Sequence, residues 1–167
     1  MEVVIDFEFL RGCHCEIVVK ELSMANKIMI ETFRFKSFYS MMSQSSDENG
    51  LNWENGHIAY HNLYMVVSEA VAGFAHLYCY GVTKCKFLTD LLGRPILNLQ
   101  DFKCPQSTSF NHTRWFSLPC NKFPNVDCVT KTAQSLYDWL MFYLQTKSYE
   151  RCHKYIGRLS SKFVSAI

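Results

Sequence analysis

Val3-Val4-Ile5-Asp6-Phe7-Glu8-Phe9, near the start of the chain, is the stretch that decides the fold. Apart from two acids its residues are β-branched or aromatic, which is typical of a strand that is covered on both faces. Stretches of similar composition follow at 16–24 and 27–36, with Gly12 and Asn26 at the connections. The first third of the chain therefore predicts three consecutive strands.

The spacing of apolar residues changes beyond residue 60. Steps of three and four residues predict helices, and short apolar runs between them predict two more strands. The predicted helices cover 60–74, 84–92, 130–145 and 149–164, and the predicted strands cover 75–80 and 95–99. Gly93 and Pro95 mark the end of the second helix. The order of these segments predicts an α/β fold, a mixed five-stranded sheet with flanking helices.

Composition and charge describe one domain with an uneven distribution of charge. The 167 residues carry a net charge of +2, which divides into −2 over residues 1–146 and +4 over residues 147–167. We expect a body over 1–146 and a basic amphipathic helix over 147–167 that packs on the same domain. No apolar run has the length of a membrane span, and no signal peptide is visible. We therefore expect an intracellular protein of the cytoplasm or nucleus, not secreted, whose eight cysteines are reduced.

Asp6 and Glu8 are the first candidate site residues. They are two residues apart on one predicted strand, so they share a face. Two like charges in an apolar strand are costly unless a cation compensates them, and a divalent metal ion is one such cation. The alternatives are an exposed edge of the sheet or ion pairs with Lys20 or Arg11.

Val4-Ile5-Asp6-Phe7-Glu8, an Asp-x-Glu motif in the first strand of a meander, resembles the first motif of the DnaQ-like 3′-5′ exonucleases of the ribonuclease H-like superfamily. The similarity in the order of segments covers about residues 3 to 145. It implies a five-stranded mixed sheet whose first three strands are antiparallel. It also implies two metal ions, magnesium or manganese, that four acidic residues hold against the scissile phosphate.

The other motifs of that superfamily are not matched. Lys84 stands where the second motif has an aspartate, and it would either repel a metal ion or pair with Asp6 and Glu8 in its place. In the third motif Asp127 stands for the histidine and Thr132 for the aspartate. We therefore expect an incomplete catalytic set. The alternative is an active metal-dependent nuclease in which Asp127 is a displaced third carboxylate.

The segment before the last predicted core helix contains candidate zinc ligands. These are Cys104, His112, Cys120 and Cys128. Zinc prefers four cysteine or histidine side chains, and irregular segments often supply them. Cys120 and Cys128, which stand just before that helix, are similar to the pattern of the Maelstrom domain of RNA silencing, a branch of the same superfamily that has lost its catalytic acids. This resemblance implies a structural zinc. The alternatives are a second cluster, Cys13-His14-Cys15, and small buried thiols without a metal.

Five cations recur at helical spacing near the C-terminal end: Lys147, Arg151, Lys154, Arg158 and Lys162. Together with Lys84 they predict contact with phosphates, most simply those of single-stranded RNA, or with an acidic protein surface. The alternative is a solvated helix face. We expect a catalytically degenerate exonuclease-like domain that binds nucleic acid, RNA by preference, or a protein of an RNA-silencing or nucleic-acid-processing pathway. A zinc-stabilised protein-interaction module is the third possibility.

Overall fold

A computed structural model describes residues 1–11, 16–36, 56–105 and 129–164, and for 10–11 and 150–164 it describes the backbone alone. Six strands and three α-helices occur within these ranges. In chain order they are β1 (Glu2–Arg11), β2 (Ile17–Ala25), β3 (Ile30–Lys36), β4 (Ile58–Ala59), α1 (Leu63–Val71), β5 (His76–Cys79), α2 (Val82–Leu92), β6 (Leu97–Asn98) and α3 (Val129–Val164). Short 3-10 helices cover Tyr60–Asn62 and Leu99–Phe102.

The strands form one mixed sheet in the order β4-β3-β2-β1-β5-β6. β1, β2 and β3 are antiparallel neighbours, whereas β5 is parallel to β1 and β6 is parallel to β5. The prediction of an α/β fold with a mixed sheet is confirmed. The number of strands was wrong by one, because β4 is only two residues long and pairs parallel to β3 at the edge. A strand of that length has no alternation to detect.

The principal core lies between one face of the sheet and helices α1 and α2. Ile5 and Phe7 of β1 are fully buried there. Helix α1 contributes Leu63, Val67 and Val71, which follow the spacing of four residues that predicted this helix. Helix α2 ends at Leu92, where Gly93 adopts a left-handed conformation with a φ of 64°. Such a cap suits glycine because it has no Cβ.

A second glycine brings two backbone segments together at the edge of the sheet. Gly56 is buried against β3, and a Cβ at this position would lie 2.4 Å from the carbonyl carbon of Phe35. The backbone N–H of His57 donates to the carbonyl oxygen of Arg34 at 3.2 Å nearby. The close approach therefore requires a residue without a side chain.

Helix α3 corrects the prediction of two helices over 130–145 and 149–164. It is one α-helix of 36 residues. The residues between the two predicted helices, Thr146-Lys147-Ser148, include neither glycine nor proline, so nothing in them interrupts the hydrogen bonding of the helix. The chain divides into two compact units, Met1–Tyr137 and Asp138–Ile167, and α3 begins in the first and ends in the second. Within the described ranges, no helix combines the length and the apolar character needed to cross a membrane.

Candidate functional site

One face of the β1-β2-β3 meander carries a group of polar side chains. β1 is regular from Asp6 to Glu8, so both residues lie on the face opposite to Ile5 and Phe7. The antiparallel register places Ser23 beside Asp6, and the same alternation extends into β3. We call this surface the polar face, and its members are Asp6, Glu8, Glu21, Ser23, Thr32 and Arg34.

Asp6 forms an ion pair with Lys84 of the neighbouring helix. The Lys84 Nζ lies 2.5 Å from Asp6 Oδ1 and donates a hydrogen bond to it. Lys84 is in the first turn of α2, which follows β5, the parallel neighbour of β1. The same ammonium lies 5.4 Å from the centre of the Phe7 ring, within the range of a cation–π contact. The pairing of β5 with β1 and the start of α2 directly after β5 together bring the Lys84 ammonium into contact with the Asp6 carboxylate.

Burial governs the ionisation of Asp6. The residue is 4% exposed, and desolvation raises the pKa of its carboxyl above the ordinary value of 3.8. The positive charge of Lys84, its hydrogen bond and the backbone N–H of Phe7 act in the opposite direction and favour the carboxylate. Asp6 lies on a central strand between β2 and β5, so the alternative that it occupies an exposed edge was wrong.

Glu21 and Arg34 of the polar face form an ion pair between neighbouring strands. Glu21, which is opposite Glu8 in the register, accepts a hydrogen bond from Arg34 Nε at 3.1 Å. Glu8 is half-buried. The carboxylate of Glu21 is therefore balanced by a guanidinium on the neighbouring strand.

Three hydroxyls connect the polar face to the start of α3. Ser23 Oγ is 2.7 Å from Thr32 Oγ1, and Thr130 Oγ1 lies 3.3 Å from the serine and 3.0 Å from the threonine of the sheet. Ser23 is fully buried. Each hydroxyl can donate once and accept once within this triangle, so the three oxygens satisfy one another.

The described residues do not assemble a metal centre. Among them, no group of three or more histidine, cysteine, aspartate or glutamate side chains is placed to hold a metal ion. Of the predicted zinc ligands, Cys104 is buried, and desolvation raises the pKa of its thiol to about 12. His112, Cys120 and Cys128 lie outside the described residues, as do Asp127 and the Cys13-His14-Cys15 cluster. The zinc site and the displaced third carboxylate therefore stay predictions.

The basic positions of α3 are described in part. Lys147 Nζ lies 5.9 Å from the centre of the Tyr143 ring, and Tyr143 stacks on Trp139 with ring centres 5.2 Å apart. The side chains of Arg151, Lys154, Arg158 and Lys162 lie outside the part of the chain that the structure describes, although its helical backbone continues through all four positions to Val164.

Sequence reasoning did not identify two of these groups. To predict the hydroxyl triangle one would have to know the strand register and the position of a helix about a hundred residues away. No local sequence pattern indicates either. The Glu21–Arg34 pair also follows from register alone, because the residues are directly opposite in β2 and β3. Such a cross-strand charge pair could be predicted if the β2–β3 turn were assigned to Asn26-Lys27-Ile28-Met29, because the turn sets the register of the two strands.

Comparisons with known proteins provide no further assignment. No protein-family model, no curated protein and no solved structure matches the chain.

Proposed function

We propose that this chain is a catalytically degenerate exonuclease-like domain that binds nucleic acid, with single-stranded RNA as the preferred ligand. The observation that carries the proposal is the ion pair between Lys84 and Asp6. In the superfamily that the first motif resembles, the position of Lys84 belongs to a metal-binding aspartate. Here the side chain at that position neutralises the first carboxylate directly.

An ammonium at this place opposes two-metal catalysis for two reasons. It removes one of the oxygen ligands that a divalent ion requires, and it adds a positive charge next to the remaining ones. Asp6 is buried, so this charge is weakly screened by solvent. Restoring a metal ion would require Lys84 to move away from Asp6 or lose its proton.

The order of the strands supports the exonuclease-like part of the proposal. Without the two-residue edge strand, the sheet has the order β3-β2-β1-β5-β6, with the first three strands antiparallel. The resemblance implies five strands whose first three are antiparallel. Asp6 and Glu8 lie on the central β1, on the face from which Thr130 of α3 contacts the sheet.

The continuity of α3 supports the nucleic-acid part. Residues 147, 151, 154, 158 and 162 lie on one unbroken helix, so these positions fall within about 80° around its axis. They span roughly 22 Å along the helix, which is long enough to follow several phosphates of a single strand. A break near residue 147 would have separated the first cation from the rest.

Binding to fluorescent single-stranded RNA and DNA, measured by anisotropy over a range of salt concentrations, tests the proposal. If three phosphates are contacted, the variant Arg151→Ala/Arg158→Ala/Lys162→Ala should reduce the log–log salt slope by about 2. A matched control, Lys27→Ala/Lys86→Ala/Lys131→Ala, removes the same charge from exposed positions elsewhere. If the two variants change the salt slope equally, binding depends on net charge alone, and the proposal is contradicted.

Cleavage assays test the degenerate part separately. The same RNA and DNA are incubated with EDTA, Mg²⁺ or Mn²⁺, beside the variant Asp6→Ala/Glu8→Ala. We expect no metal-dependent loss of substrate with either protein. Cleavage that requires the metal and disappears in the variant would show a working nuclease and overturn the proposal.

A further inference from the structure

Two buried cysteines lie at either end of the segment that joins β5 to the start of α2 and includes Lys84. Cys79 is the last residue of β5 and is fully buried, and Cys85 is in α2 and is 7% exposed. Both are free thiols in the structure. They belong to the principal core, whose other members are mainly aliphatic and aromatic. Burial of single thiols in such a core is ordinary, but here two of them flank one connection between a strand and a helix.

The thiol of Cys85 contacts the backbone of Cys79. Cys85 Sγ donates to the carbonyl oxygen of Cys79 at 3.5 Å, and both side chains lie in the same buried core. The turn between them is anchored, because the backbone N–H of Cys85 donates to the carbonyl oxygen of Gly81 at 3.0 Å. The two cysteines are therefore neighbours in the core, with Cys79 at the end of β5 and Cys85 near the start of α2.

The two thiols differ in acidity. The hydrogen bond from Cys79 lowers the pKa of Cys85, because it stabilises the thiolate. Burial, first, and the hydrogen bond with Cys85 raise the pKa of Cys79 well above its ordinary value. Cys85 is also the less deeply buried of the two, with 7% exposure against 0% for Cys79. Cys85 therefore suits the attacking role and Cys79 the resolving role.

We propose that Cys79 and Cys85 form a modification site at which hydrogen peroxide converts the two thiols into an intramolecular disulfide. The Cys85 sulfur attacks one peroxide oxygen, the O–O bond breaks, and Cys85 becomes a sulfenic acid as water leaves. The Cys79 sulfur then attacks the Cys85 sulfur, the S–O bond breaks, and a second water leaves. With hydrogen peroxide, both thiols lose their hydrogens and the peroxide takes up the two electrons.

The position of this site connects it to the polar face. Lys84 directly precedes Cys85, so a bridge from residue 79 to residue 85 closes the segment from which Lys84 reaches Asp6. A covalent link there constrains the same turn that places the ammonium on the carboxylate. The disulfide itself does not depend on any role of the chain in nucleic-acid binding.

Peptide mass spectrometry of the folded full-length chain tests the proposal. The protein is treated with hydrogen peroxide, quenched, unfolded and alkylated with N-ethylmaleimide. Cleavage before aspartate releases peptide 47–89, in which Cys79 and Cys85 are the only cysteines. We expect this peptide to lose the mass of two hydrogen atoms and to take up no maleimide, and dithiothreitol should restore both alkylation sites.

Variants assign the linkage to this pair. Cys85→Ser should abolish the mass loss, and Cys104→Ser, which removes another buried thiol, should leave it unchanged. Because Cys79 is fully buried, Cys79→Ala is used only if its circular dichroism matches that of the parent. The proposal is overturned if peptide 47–89 keeps two alkylatable thiols at peroxide doses that oxidise the urea-unfolded chain. Conversion of Cys85 to a sulfinic acid without a link to Cys79 would also overturn it.

Discussion

Replacing Lys84 with methionine removes the cation from Asp6 and keeps most of the volume of the side chain. Asp6 is then a buried carboxylate without its ammonium partner, since its side chain is 6% exposed and that of Lys84 is 25% exposed. Removing one partner of a buried pair costs about 3–5 kcal/mol in general. Because a quarter of Lys84 is in contact with solvent, we expect the lower end, about 3 kcal/mol of unfolding free energy near pH 7.

The loss of unfolding free energy in Lys84→Met should depend on pH in a defined direction. Burial raises the pKa of folded Asp6 above 3.8, so the stability that this group contributes is complete below 3.8 and is lost as pH rises through the folded pKa. Without Lys84 that pKa rises further, because the attraction that opposes desolvation is gone. The difference in stability between parent and Lys84→Met should therefore be small near pH 4 and grow toward about pH 7.

Urea unfolding monitored by tryptophan fluorescence and circular dichroism at both pH values measures this difference. Lys86→Met is the matched control, because Lys86 is exposed on the same helix two residues away. Adding Asp6→Asn to Lys84→Met should remove the growth with pH, since residue 6 then has no carboxyl to titrate. The reasoning is refuted if Lys84→Met is no less stable than Lys86→Met, or if its deficit is the same at both pH values.

Three further outcomes are expected. Lys84→Asp places a second carboxylate beside Asp6 and should bind Mn²⁺ measurably in isothermal titration calorimetry, whereas Lys84→Ala should not. Gly56→Ala puts a Cβ 2.4 Å from the Phe35 backbone, so it should lower the thermal midpoint far more than an exposed Gly73→Ala, and equal midpoints would contradict the close approach. Thr130→Val leaves the hydroxyls of the buried Ser23 and the half-buried Thr32 with one partner fewer, so it should lower the free energy of unfolding in urea by about 1–2 kcal/mol. No loss of stability would show that water replaces the contact.

Much of the fold could be predicted from local patterns. The apolar composition of β1 indicated a strand covered on both faces, and the spacing of Leu63, Val67 and Val71 indicated α1. The prediction failed where the deciding information is not local. β4 exists because its two residues meet β3, and no alternation can reveal so short a strand. α3 was divided at 145–149 because its apolar stripe changes there, although the backbone has no reason to stop.

The candidate site was less accessible to sequence reasoning. The resemblance in the first motif left two alternatives for Lys84, repulsion of a metal ion or pairing with Asp6. The structure shows the pairing, which depends on the start of α2 lying beside β1. The contact between Cys79 and Cys85 depends on the shape of the turn that joins β5 to α2. The five residues between the two cysteines contain no pattern that predicts this shape. The sequence patterns identified the residue types, but they did not indicate which distant residues come into contact.

The ammonium on Asp6 has a consequence for how the protein is made. A carboxylate that depends on a metal acquires its counter-charge from the surroundings after synthesis, and its state follows the supply of that ion. Lys84 is translated with the chain, so the charge of Asp6 is balanced as soon as β1, β5 and α2 come together. Lysine codons differ from glutamate codons by a single base, so one base change would replace the ammonium at position 84 with a carboxylate beside Asp6.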